Sequence, residues 1–184
     1  TGIGAGLFIE GQIYRGATGS AGEIGHMTID ENGPLCTCGN RGCLEAMAGG
    51  KAIMAKAHEA IKLNKRTELS DHPDPDNITV MDVAKAAARG DLVAQEILAE
   101  AGNQLGIALT SLVNLFNPNI VIVGGGVAQT GDLFLEPIRK AVLKRSLPAA
   151  VQAVRITTAL LGKRSTSMGA VVQALSIALH KIAA

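Results

Sequence analysis

Aromatic residues are nearly absent from this 184-residue chain: they make up 2% of it, with three Phe, one Tyr and no Trp. A core built from such a sequence is aliphatic, and the stacking surface on which single-stranded nucleic acids are usually held is missing. Charge of one sign is missing too. Seventeen Lys and Arg against sixteen Asp and Glu leave a formal net charge of +1, which gives no electrostatic footprint for DNA or an acidic membrane surface. The small basic groups, Lys62, Lys65 and Arg66, then Arg139, Lys140, Lys144 and Arg145, fall at the ends of expected helices, where cations suit the negative end of the dipole. No stretch approaches about eighteen consecutive apolar residues and no charged-then-apolar leader opens the chain. Neither a membrane span nor a signal peptide is expected, and the cytoplasm is the default location. Cysteine is scarce but crowded: Cys36, Cys38 and Cys43 share one short segment. An odd number cannot all pair, and in a reducing compartment such clusters hold metal more often than they form disulfides.

What is present is apolar mass, 47% of residues against 18% charged, enough for one domain of ordinary size or one lobe of a larger protein. Residues 4–15 hold two β-prone runs around Glu10-Gly11, a hairpin signal. A third strand is expected over His26–Ile29, then an irregular, turn-rich segment carrying the cysteines. A helical pattern starts at Leu44, weakens at Gly49-Gly50 and resumes with Ile53, Met54, Ala57, Ala60 and Ile61 on one face. Residues 71–77, DHPDPDN, read as a surface loop. They lack the glycine and terminal glutamate of a calcium-binding EF-hand. Helices follow over Met81–Arg89 and Asp91–Phe116, the second largely buried and stopped by Asn117-Pro118. IVIVGGG, residues 120–126, is an apolar run ending in glycines, expected as a buried strand with an open tip. A helix over Leu133–Lys144 and a strand over Val154–Thr158 come next. Ser167 is expected to cap a last helix that turns Met168, Val171, Val172, Leu175 and Leu179 inward. Strands first, then helices alternating with strands, predict an α/β fold with a mixed sheet flanked by helices.

The strongest chemical signal is GEIGH followed by GPLCTCGNRGCLE. His26, Cys36, Cys38 and Cys43 offer one imidazole and three thiolates, the set a tetrahedral Zn²⁺ prefers. Cys36 and Cys38 would make a strained disulfide but suit a chelating turn, and Gly33, Pro34, Gly39 and Gly42 let the backbone wrap an ion closely. The plainer alternative is three unrelated buried thiols and a satisfied histidine. Glu23 and Glu45, taken alone, read as solvated carboxylates, Glu45 also as a favourable acid at a helix start.

The Glu-x-Gly-His segment, the block Cys-x-Cys-Gly-x-x-Gly-Cys-x-Glu, TGIGAG and NLFNPNIVIVGGG together resemble the ROK family, named for repressors, open reading frames and kinases. The likeness covers nearly the whole chain. It implies an actin-like, ribonuclease H-like fold in which substrate and nucleotide bind in a cleft between two lobes. Residues 1–184 resemble the C-terminal lobe alone, with residues 30–45 as a zinc-binding loop within it. The resemblance implies that Glu23, His26 and Glu45 reach the hydroxyls of a hexose or amino sugar, and that a structural zinc on His26, Cys36, Cys38 and Cys43 braces the loop that carries them. It also implies that Thr1 and Gly2 of TGIGAG face nucleotide phosphates, and that Gly124, Gly125 and Gly126 lie against adenosine, for which a tight strand-to-helix turn is the ordinary alternative. ATP with Mg²⁺ would belong to the longer parent if it is a kinase. The family's catalytic aspartate sits on the other lobe, and no acid of this chain matches it. Two parents fit: an ATP-dependent, glucokinase-like hexose kinase, or a sugar-responsive transcriptional repressor that meets nucleic acid only through a separate N-terminal domain. Homo-oligomers are common in the family. Two motifs are decoys. GKRST, residues 162–166, has Thr157 where a phosphate-binding loop needs glycine and Arg164 where it needs a hydroxyl. TGIGAG leads into a strand and does not fit a dinucleotide-binding turn.

Overall fold

The computed structural model describes the backbone of residues 2–183 and their side chains except those of 163, 180, 181 and 183. The chain opens with a hairpin of β1 (Leu7–Ile9) and β2 (Gln12–Tyr14), paired antiparallel with Leu7 opposite Tyr14. Its turn residues have positive φ, 50° at Glu10 and 77° at Gly11, the conformation whose twist matches that of the flanking strands. The strand expected over His26–Ile29 does not form. Ile24–His26 is a 3-10 turn, and the segment keeps one isolated bridge, Thr28 with Cys43. Its partner segment is cut short because α1 begins at Leu44, directly after that bridge.

The break at Gly49 is real. It separates α1 (Leu44–Ala48) from α2 (Gly50–Lys62), with Gly49 itself in extended conformation. Next come α3 (Val80–Ala88), whose Thr79 and Asp82 form a reciprocal capping box, and the long α4 (Leu92–Phe116), capped by Asp91 accepting from the Ala94 N–H. Asn117 ends α4 in the left-handed region, φ 45°, a place where Asn is tolerated. β3 (Ile120–Val123) follows, then α5 (Asp132–Arg145), α6 (Pro148–Ala153), a short helix with Pro in its first turn that the periodicity did not announce, β4 (Arg155–Thr158) and α7 (Ser165–Ala183).

The fold is α/β as expected, but the expected mixed sheet is divided: β1 and β2 form one antiparallel ladder, β3 and β4 a separate parallel one. β3 is not buried on both faces. Val123 joins the core while Ile122 is 61% exposed, so the run behaves as a period-two strand with one covered face.

The core runs from α1, α2 and α3 across α4 to α5, and at α4 and α5 bare backbone lets the helices meet. A Cβ on Gly106 would stand 2.5 Å from the Ala141 Cβ and 2.8 Å from the Ile138 oxygen, and one on Gly102 2.7 Å from the Phe134 oxygen. Leu98, Leu109, Val113, Ile138 and Val142 fill the seam. The expectation for the last helix fails in two ways. It begins at Ser165, not after Ser167, and Met168, Val171, Val172, Leu175 and Leu179 are 44% to 64% exposed. None of the five belongs to the core cluster.

Candidate functional site

The segment from Asp30 to Cys43 is folded by its own backbone. Cys36 N–H donates to Asn40 O at 2.7 Å, Gly39 N–H to Cys36 O at 3.0 Å and Gly42 N–H to Pro34 O at 2.8 Å, forming a tight knuckle closed by a bridge between Leu35 and Arg41. Gly42 has φ 62°, and a Cβ there would land on the Asp30 carbonyl. Only glycine lets the chain double back at that point. Ile29 N–H to Gly42 O and Leu44 N–H to Met27 O then staple the knuckle to the turn that carries His26.

This brings the four expected metal ligands together. The His26 nitrogen and the three sulfurs lie within 4.8 Å of one another. His26 Nδ1 stands 3.7 Å from Cys36 Sγ, and Cys38 Sγ 3.6 Å from Cys43 Sγ. A tetrahedron with zinc–sulfur bonds of about 2.3 Å has edges of about 3.8 Å, whereas a disulfide needs about 2.05 Å, and all three cysteines are free. The donor set and its spacing fit Zn²⁺. The thiols are electrostatically unequal. The Cys38 backbone N–H, ahead of the His26 hydrogen bond, pulls Cys36 down to about 6 against its burial. Burial first, then the Cys38 and Cys36 thiols, push Cys43 up to about 12. His26 is raised above the ordinary histidine value by its hydrogen bond to Cys36, against burial and with the help of negative charge on Cys36, Glu45 and Glu23. Zn²⁺ held by His26, Cys36, Cys38 and Cys43 would supply the positive charge that favours their thiolate forms.

Those last two acids matter beyond the metal. Glu23 is exposed and precedes the 3-10 turn that ends in His26, while Glu45 lies half-buried in the first turn of α1. Glu23 opens the turn that ends in His26, and the hydrogen bond from Leu44 N–H to Met27 O sets the start of α1, with Glu45, against that same turn, so the three expected sugar residues share one neighbourhood. Nδ1 of His26 faces the sulfurs, which leaves its other ring nitrogen for a different partner. Glu45 is not a free carboxylate: its Oε2 accepts the Ile3 N–H at 2.9 Å, tying the start of the chain to the zinc loop.

A second concavity, about 220 Å³, opens at the ends of β3 and β4. It is lined by Gly124, Gly125, Ala128, Gly131, Thr158 and Ala159 among others. Of the glycines expected against adenosine, Gly124 and Gly125 line it; Gly126 instead packs near the Met81 sulfur. Gly2 lies against Glu45, and Thr1 is outside the described residues. Gly131 and Thr158 were not singled out by sequence: Thr158 ends β4, at the carboxyl end of a parallel strand where α/β sheets place ligands, and Gly131 stands directly before α5.

The ROK family profile matches residues 1–177. The chain belongs to the ROK family. This ROK chain is 34% identical to the xylose repressor of Caldicellulosiruptor bescii, over 95% of its own length and 44% of the repressor's. To the glucokinase of Halalkalibacterium halodurans it is 36% identical, over 92% of the chain and 52% of that enzyme. Among solved structures, a ROK family glucokinase from Streptomyces griseus in complex with glucose and AMPPNP superposes with a TM-score of 0.78 at 34% identity, covering 89% of the chain and 54% of the enzyme. The ROK chain thus spans about half the length of the relatives it matches, and shares the actin-like fold of ROK sugar kinases. Among its described residues no helix is long and apolar enough to cross a membrane.

Proposed function

We propose that this chain is the C-terminal, sugar-binding lobe of an ATP-dependent hexose kinase of glucokinase type, with residues 30–45 as its zinc-braced recognition loop. The observation that carries the reading is the placement of Glu23 at the start of the His26 turn and of Glu45 on the helix stapled to it, beside the Cys-rich knuckle. Carboxylates accept hydrogen bonds from sugar hydroxyls, and an imidazole held at one nitrogen presents the other in a fixed direction. Zinc, held by His26, Cys36, Cys38 and Cys43, supplies a structural anchor for that loop. Gly124 and Gly125, which line the cavity at the end of β3, would attend the nucleotide, whose Mg²⁺ and proton-accepting aspartate would belong to the longer protein; phosphoryl transfer needs all of these positioned at once.

The test is a phosphorylation assay on the complete protein with ATP, Mg²⁺ and a panel of hexoses and amino sugars. Formation of a sugar phosphate with at least one of them is the expected result. The second reading, the effector-sensing lobe of a sugar-responsive repressor, is favoured by the similarity to the xylose repressor. No turnover together with sugar-dependent operator binding would select it.

A further inference from the structure

Arg139 lies outside the glycine-lined cavity yet holds both of its sides. Its Nη1 donates to Asp132 Oδ1 at 2.9 Å and to Glu136 Oε1 at 2.6 Å, while Nε and Nη2 both donate to the Ile156 carbonyl, at 3.3 and 3.1 Å. The two acids are ordinary helix neighbours, and an exposed helical ion pair contributes little by itself. The carbonyl is the unusual partner. β4 hydrogen-bonds to β3 and to no other described strand, and Ile156 is a buried core residue. A main-chain oxygen there that lost its partner would cost free energy, and the guanidinium fork satisfies it twice.

The clasp joins the cavity's two walls. Asp132 follows Gly131 directly and Ile156 precedes Thr158 by two residues on β4; Gly131 and Thr158 both line the cavity. We propose that Arg139 is a positioning residue for the nucleotide, setting the separation between the Gly131 end of α5 and the Thr158–Ala159 end of β4 without touching the ligand. This rests on the reading of that cavity as the nucleotide seat. Asp132, Glu136 and Arg139 fall on one helical face, so the α5 half of the clasp is encoded in an eight-residue span of that helix.

The experiment titrates a fluorescent ATP analogue into the complete, sugar-saturated protein and its Arg139→Gln and Arg139→Lys variants, with sugar affinity and melting temperature measured alongside. The expected result is about tenfold weaker nucleotide binding for Arg139→Gln, a coupling of ordinary size. Sugar affinity should stay unchanged, and Arg139→Lys, which keeps the charge and one donor to Ile156, should recover part of the loss. Unchanged nucleotide affinity in both variants would overturn the assignment, as would a parallel fall of sugar and nucleotide affinity with melting temperature, the mark of a general structural role. A wild-type protein that binds no analogue would overturn the nucleotide seat itself, and the assignment with it. If Arg139→Gln does not fold, Arg139→Lys decides on the same readouts.

Discussion

Cys38 is the exposed member of the metal set, while Cys36 and Cys43 are buried, and it sits at the turn that brings the knuckle round. Replacing it with Ala leaves three donors and an open position, a poor structural zinc site. The Cys38→Ala variant should lose stoichiometric zinc in elemental analysis and melt lower by on the order of 10 °C; a variant keeping both metal and melting temperature would remove Cys38 from the ligands. Asp91 makes a different argument. Burial works to raise its pKa, but hydrogen bonds from the N–H groups of Ala94 and Glu68 and from the Thr67 hydroxyl prevail, and it lies below the ordinary carboxylate value. Its contribution is therefore complete above the unfolded pKa, about 3.9, and is lost as pH falls through the lower folded value. Asp91→Ala should cost about 1–2 kcal/mol near neutral pH, a gap that denaturant melts should see shrink below about pH 4. The ligands are legible because thiols and imidazole at this spacing have few other uses; the sequence marks Asp91 only as the first residue of the long helix, and its bonds to Thr67 and Glu68, distant in sequence, carry no local signal.

Among the elements, the contact between α4 and α5 is the most specific. Gly102 and Gly106 each cost the isolated helix about 1 kcal/mol relative to Ala, and the close approach of α5 offsets that. Gly106→Leu drives a side chain into Ala141 and the Ile138 carbonyl, so destabilisation of roughly 3 kcal/mol or more is expected by chemical denaturation. A substitution costing less than about 1 kcal/mol would mean that α5 can retreat freely. Helices were the legible elements, since an apolar stripe of period 3.6 survives in most tertiary settings: α4 and α5 start and stop within a residue or so of their expected bounds. The missing strand at His26–Ile29 was not legible because its pattern does suit a ladder: Met27 and Ile29 make the two bonds of one bridge to the knuckle, but the 3-10 turn on one side and the start of α1 after Cys43 stop it there. α7 shows the reverse error. Its stripe was read correctly as apolar, but periodicity says that a face exists and not what covers it.

At the scale of the whole molecule, the chain spans about half of its relatives, and the proposed function has it offer a ligand one wall of a cleft. Under the proposed function the 184-residue chain alone should therefore form no detectable sugar phosphate from ATP and glucose in a coupled assay, since water cannot be excluded from a half-open site. Turnover by the purified chain would contradict the division of labour between lobes. The division of strands into two ladders belongs to this scale as well. Local patterning predicts that strands form but says little about which edges meet, because pairing is decided by parts of the protein distant in sequence.

The bare contact at Gly102 and Gly106 also has a mechanical meaning. Where two helices touch through main chain, no flexible side chain intervenes to absorb displacement, and packed interiors yield little. The contact therefore fixes where the start of α5 stands against α4, and with it the Gly131 side of the glycine-lined cavity.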